Sequence, residues 1–505
     1  MSQIASDLKR VASSSGLYAV ATLLQRGLSF VLLPVYTRFL VQADYGVTEL
    51  LNALSAVLFG LLLLGLPSAL TKVLHRDCET DEERAAALPT ALALDSIPLF
   101  FGGILLFLFS ERIGLLLIGE AGRGGAVRLT VAAVLLASLV DIVLAGFRAR
   151  EKALSFVYLN LLQFGLGMLL NITLVVAFRM GIYGVLWGNL IAAGLALPFG
   201  LFLARHELRF AFERRLVQPL LSFGILVLPS AITGWVITMA DRYVLRYFGA
   251  LEDVAVYAVG YKIGMVLQMG VVWPFQLAWP AVAFSISKRA GHQQTFARVL
   301  TYLSASLALG VLGLSLVSRV GLTSFAGPSY ARAHEVVPWV ALAYAFAGVQ
   351  FCLAPGVHLA GQTSRLPRYS LIGALLNLGL NFWWVPSYGM MGSTWATTVA
   401  YFYLAASTAW LSHRHYPVRW ELGRILRIVI ASGVIYTVGC LWTPNELVLS
   451  ILWQVFLAAG AFPALLLATG FLTDGERSRI VSWLERAGQV ISGWWRTEHE
   501  EEPKA

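Results

Sequence analysis

Apolar runs of about 20 residues recur from one end of this 505-residue chain to the other, and nothing else constrains its fold as tightly. A run of that length crosses the hydrocarbon of a bilayer as a helix, the form in which a single segment satisfies all its own backbone hydrogen bonds. The chain therefore reads as an all-α polytopic membrane protein. Spans are predicted at 14–37, 47–74, 89–109, 127–147, 154–178, 183–204, 220–247, 255–284, 299–320, 337–360, 370–387, 392–411, 425–443 and 448–471, fourteen in all. Barrel strands alternate in short segments, whereas these runs are apolar all round. The composition agrees, with 58% hydrophobic and 13% charged residues, where a soluble domain carries about 25% charged. Connections inside the membrane region stay within about 20 residues, which leaves no room for a soluble catalytic domain.

The three cysteines, Cys78, Cys352 and Cys440, are scattered and lack the spacing of a metal site or a disulfide framework. Residues 1–12 are polar and no cleavage site follows a short apolar core, so the first span reads as a true membrane helix. The net charge of +9 reflects orientation and not nucleic-acid binding. With the N-terminus in the cytoplasm, 26 Lys and Arg fall in cytoplasmic segments and 8 in outer ones (Arg38, Arg112, Arg123, Arg128, Arg179, Arg246, Arg319 and Arg332). The positive-inside rule then places both termini in the cytoplasm of a multi-pass inner-membrane protein.

The sequence also resembles itself. Gly181-Ile-Tyr-Gly184-Val-Leu-Trp187 recurs as Gly389-Met-Met-Gly392-Ser-Thr-Trp395, 208 residues later. Ser14-x-Gly16 and Ser222-x-Gly224, Pro67 and Pro274, Asp44 and Asp253, and Asn171 and Asn381 are offset by 207 to 210 residues in the same order. A six-helix duplication follows. Because six is even, the two halves enter the membrane the same way, related by a pseudo-two-fold axis along its normal. The expected organisation is a six-helix bundle over 10–205, a second over 218–412, and two further spans over 425–471. Over 474–505 a cytoplasmic tail carries Ile480, Leu484, Ala487, Ile491 and Trp494 at helical spacing, an interfacial amphipathic helix.

Ionisable residues inside spans are the first functional candidates, since each costs about 2.5–3.5 kcal/mol at a helix centre. Arg26 shares a polar stripe with Thr22, Ser29 and Tyr36. Asp241 and Arg242, as neighbours about 100° apart on a helix, are not expected to pair. Arg242 and Arg246 share a face and repel unless an anion lies between them. Lys262 points away from the small face made by Gly260 and Gly264, into a cavity. Arg26, Arg242 and Lys262 thus form a candidate site for an anionic substrate. Glu49, Asp141 and Asp241 are candidates for a coupling ion, although Glu49 and Asp95 are read as lying near span ends. Pro274 and Pro280 make the eighth span the candidate hinge. No metal and no cofactor are expected.

Leu32-Leu33-Pro34-Val35-Tyr36-Thr37-Arg38-Phe39-Leu40 with Asp44-Tyr45-Gly46, and Ala240-Asp241-Arg242-Tyr243-Val244-Leu245 with Val256-Tyr257-Ala258-Val259-Gly260-Tyr261-Lys262-Ile263, resemble the Wzx polysaccharide flippases. These belong to the multidrug/oligosaccharidyl-lipid/polysaccharide exporter superfamily, and the resemblance covers residues 10 to about 415. It implies two bundles around a central cavity and a polyprenyl-pyrophosphate-linked oligosaccharide carried between leaflets by alternating access. Polysaccharide polymerases are the implied protein partners. The related lipid II flippases carry cavity arginines on the first, second and eighth helices, and two extra helices that help form a lipid-tail groove. Arg26 and Lys262 match on the first and eighth, but Glu49 is acidic on the second, which leaves the cargo open.

Three other readings fit less well. A cation-coupled drug exporter of the same fold would favour an acidic cavity. A major-facilitator transporter would carry its basic loop motif in 72–88, which is missing. A membrane glycosyltransferase or polymerase would need a large outer loop.

Overall fold

The computed structural model describes residues 30, 32–205, 212–289 and 291–478. Among them, 11 helices are long and apolar enough to cross a membrane. In chain order these are α1 (Gln42–Asp77), α2 (Asp81–Leu108), α4 (Gly124–Ala149), α5 (Ala153–Ala177), α6 (Ile182–Ala204), α7 (Arg214–Met239), α9 (Leu251–Ile286), α10 (His292–Ala326), α11 (Val337–Leu359), α14 (Leu422–Leu441) and α15 (Leu447–Ala468). Two shorter helices, α3 (Ser110–Ile118) and α8 (Asp241–Phe248), link them, and two long but more polar ones, α12 (Leu366–Tyr388) and α13 (Met390–His415), complete the set. Helical backbone also runs over 32–39. The rest of the predicted first span, with Arg26, Thr22 and Ser29, lies outside the described residues, as do Ile480 to Trp494 of the predicted tail helix.

Predicted and observed helix ends agree to within a few residues except at α1, α2, α7 and α10, which start earlier than predicted, and in the predicted span 220–247, which divides into α7 and α8. At α2 the cause is a capping box: the Thr80 hydroxyl accepts from the Glu83 N–H and Glu83 returns a bond to the Thr80 N–H. The helix therefore starts at Asp81, well before its apolar run. Asp95, read from the sequence as near a span end, sits mid-helix and is fully buried.

Within residues 42–204, α4 is central and packs on α1, α2, α3 and α6, with α5 against α6. Within 251–415, α11 packs on α10 and α13, and α12 on α13. The last two helices, α14 and α15, lie against α10 around Leu316, Ile428, Ile435 and Phe462. The two groups meet where α1 packs on α9 and where α1 and α2 pack on α7.

Glycines allow these backbones to approach. A Cβ on Gly46 would collide with the Leu251 carbonyl, and one on Gly224 with the Leu64 carbonyl. Leu64 and Gly65 interrupt α1 with successive left-handed conformations, φ 48° and 67°, which brings the break against α7. Two positions of the sequence repeat have matching local structure. Gly181 opens α6 at φ 56°, ψ −139°, and Gly389 opens α13 at φ 54°, ψ −132°, a region only glycine enters freely. One turn on, Gly184 packs against the backbone of Leu174 and Val175, and Gly392 against that of Trp384 and Val385.

Candidate functional site

Lys262 lies in the first half of α9, which turns Gly260 and Gly264 toward Ala333, Val336 and Val340. Its own side chain faces the other way, as the spacing predicts, and crosses to α1. The ammonium lies 2.6 Å from Glu49 Oε1 and 2.9 Å from the Tyr45 hydroxyl, and stands over the Tyr45 ring. Glu49 is 4% exposed and Lys262 28%, so the cation alone keeps contact with open space. Glu49, read from the sequence as near a span end, is buried in the protein within α1, which begins at Gln42. Asn52 Nδ2 adds a weaker bond to the same carboxylate. Tyr243 and Trp235, from α8 and α7, donate to the Leu50 and Ala53 carbonyls of α1 and fix the seam below the ion pair.

Asp241 and Arg242 do pair, against the expectation from helical geometry. Arg242 Nη1 lies 3.0 Å from Asp241 Oδ1 and donates to the Thr238 carbonyl at 2.7 Å. Both residues lie in the first turn of α8, and the long arginine side chain folds back across the 100° between them. Tyr257 donates its hydroxyl to the other Asp241 oxygen, and the guanidinium lies 4.7 Å from the Tyr261 ring centre. At 3% exposure, Arg242 does not face open space in this conformation, which removes it from the cavity-lining set. Nor does it share an anion site with Arg246, which donates to the Ile118 and Gly249 carbonyls instead.

Asp141 lines a cavity of about 650 Å³ within the first half, together with Arg148, Asn52, Asn160, Gln163, Asn171 and Asn189. Sequence reasoning confined to charged residues missed the amides, although Asn160, Gln163, Gly167 and Asn171 form a visible stripe along one face of α5. Asn171 donates to the Tyr36 hydroxyl and to Asn189. In the second half, Asn377 and Asn381 bond to Thr397 and Ser393 in a buried polar core. A second, apolar groove of about 420 Å³ runs between α10, α11 and α14, walled by Val311, Leu312, Trp339, Phe346, Ile428 and Val429.

In α9 the regular helix stops at Gly264, and a π-helical turn over Gln268–Val272 precedes Pro274. The ring of Pro274 occupies the first turn of the next segment, where no N–H is needed, and Pro280 sits inside that continuous helix. The irregular backbone thus lies between Lys262 and Pro274. At the start of α14, Arg424 binds Glu476 through both guanidinium nitrogens and holds the segment after α15 against α14.

The family model described as polysaccharide biosynthesis protein matches residues 11–285. An uncharacterized membrane protein of Methanocaldococcus jannaschii is 22% identical over 268 residues, 48% of this chain. The match spans about half of that relative, 48% of its length. In shape the chain is similar to the lipid II flippase MurJ in an inward closed conformation, with TM-score 0.71 and 15% identity over 89% of this chain and 97% of that one. It is also similar to an inward-facing multidrug resistance transporter of the MATE family and MOP superfamily, with TM-score 0.60 and 13% identity over 81% of this chain and 95% of that one. Identities this low speak for the fold.

Proposed function

The chain belongs to the polysaccharide biosynthesis protein family, and from that premise we propose that it is a flippase for a polyprenyl-pyrophosphate-linked oligosaccharide. It carries no chemistry of its own. It moves the head group from the cytoplasmic to the outer leaflet by alternating access, for polysaccharide export. The observation that carries this reading is the Glu49–Lys262 pair, a partly exposed cation within a membrane-spanning helix on the seam between two helix groups. A pyrophosphate carries about two negative charges, and its passage through hydrocarbon requires replacement of its hydration by charge-assisted bonds. On this reading Lys262 accepts it, and the resemblance adds Arg26 of the first span, which lies outside the described residues.

On this reading the protein has fourteen spans in two parallel six-helix bundles, 10–205 and 218–412, with 425–471 as an appendage. The matching backbone at Gly181 and Gly389 supports the repeat. The seam joining Gln42 to the Ser329 carbonyl and Arg38 to the Ser324 carbonyl is the outer gate, closed here, with both termini cytoplasmic. Glu49 holds Lys262 while the gate is shut, and cargo arrival competes with Glu49 for the ammonium. The apolar groove between α10, α11 and α14 suits the polyprenyl tail, which can stay in lipid while the head moves. Polysaccharide polymerases are the partners this cargo implies.

The test is reconstitution in vesicles with a fluorescent polyprenyl-pyrophosphate oligosaccharide, reading the fraction accessible to an impermeant quencher. Faster equilibration between leaflets than in protein-free vesicles, abolished by Lys262→Ala, supports the reading. Unchanged equilibration, or transport of lipophilic cations in its place, overturns it.

A further inference from the structure

The mechanism above leaves one buried acid without a task. Asp95 lies halfway along α2, is 0% exposed, and neither carboxylate oxygen has a hydrogen-bond partner among the described residues. A bare carboxylate in that position would cost far more than a hydrogen bond returns, and buried charges otherwise persist only when paired. The other acids on which the site reading drew are accounted for: Glu49 has Lys262, Asp241 has Arg242 and Tyr257, and Asp141 lines the polar cavity.

The elements around Asp95 narrow what it can bind. α2 packs on α4, which carries Asp141 and Arg148, and on α1, which carries Glu49 and Lys72. It also packs on α7, with Arg214 and Arg215 at its start, and on α3, with Glu111 and Arg112. Of all these, Asp141 and Arg148, both on α4, are the charged residues that line the cavity. Neither α5 nor α6, which complete the cavity wall, carries a charged residue. A metal ion would need several converging oxygens, and the Asp95 oxygens have no hydrogen-bond partner among the described residues. A proton needs only one.

We propose that Asp95 is a proton-binding site that exchanges with the cavity of the first half past Asp141. The proton arrives from water in the cavity, Asp141 is the carboxylate on its wet side, and an O–H bond forms on Asp95 on the dry side. Two carboxylates sharing one apolar region hold one proton more readily than none. Loss of that proton leaves a charge inside the α2–α4 contact, which then must open toward the cavity. Only the consequence, that a proton gradient biases the transport cycle, rests on the flippase reading.

Infrared titration of the full chain in lipid discs, without cargo, tests the site. The expected spectrum at neutral pH contains a protonated carboxylic-acid band that moves on deuterium exchange and falls in intensity as the pH is raised. Asp95→Asn removes it, and Asp141→Asn shifts its titration midpoint. Should either variant fail to fold, carbon-isotope-labelled aspartate in the unsubstituted chain must move the same band. A band untouched by Asp95→Asn or by the label, or one that never titrates, overturns the proposal whatever the cargo proves to be.

Discussion

Glu49 and Lys262, 213 residues apart in sequence, are joined at 2.6 Å across the seam between the two helix groups. Truncating Lys262 to alanine leaves the Glu49 charge buried and alone. The expected cost is up to about 3 kcal/mol, at the low end for a buried pair because Lys262 is 28% exposed. Thermal unfolding in detergent should show Lys262→Ala below wild type, with Glu49→Gln/Lys262→Met recovering most of the loss. Equal loss in the double variant would mean the pair does not hold the seam.

Arg242→Met should be the more damaging substitution, by about 3–5 kcal/mol, since it strands Asp241 with no cation beside it. A double-mutant cycle with Asp241→Asn measures the coupling. Additive effects would show that Tyr257 and Thr238, and not the ion pair, hold this turn.

The glycine contacts predict a shift between states. Gly46→Ala and Gly224→Ala each place a methyl group against a carbonyl of the opposite helix group, and such overpacking costs about 1–3 kcal/mol. Spin labels at Val41 and Ser324, which flank the seam, should report a longer mean separation in both variants. An unchanged distance distribution would mean the seam relaxes locally.

Pro274→Ala restores a backbone donor beside the π-helical turn of α9. The expected result is slower flipping with head-group binding nearly unchanged. A variant with the wild-type rate would remove the hinge from the mechanism.

The Arg424–Glu476 clasp carries a pH dependence outside the membrane. Burial opposes the Glu476 charge, but bonds from Tyr302 and Thr473 and the Arg424 charge outweigh it, bringing the carboxyl from 4.5 to about 2. A lowered folded value gives stability that is complete above the unfolded value and is lost as the pH falls toward the folded one. The difference in melting temperature between wild type and Glu476→Gln should therefore be constant at neutral pH. It should shrink below about pH 4.5, with a midpoint displaced further acid than that of a free glutamate. A difference independent of pH would indicate packing alone.

The sequence by itself determined the class of fold, the order of helices and most of their ends, because lipid requires each spanning segment to close its own hydrogen bonds. That requirement is local and is written in runs of about 20 residues. It also determined which way Lys262 points, since Gly260 and Gly264 mark the packed face two residues on either side. What the tertiary structure decided is which charges meet. The Asp241–Arg242 pair depends on a guanidinium folded back beside the Tyr257 and Tyr261 rings, a placement that no apolar pattern encodes. Glu49 reaches Lys262 only because two helices distant in sequence pack through Gly46. Asp95 is buried in a helix, α2, that packs against α1, α4 and α7. The free energy of a charge depends on its partners and surroundings, and those come from other helices, whereas the free energy of a spanning segment is set almost wholly by its own residues.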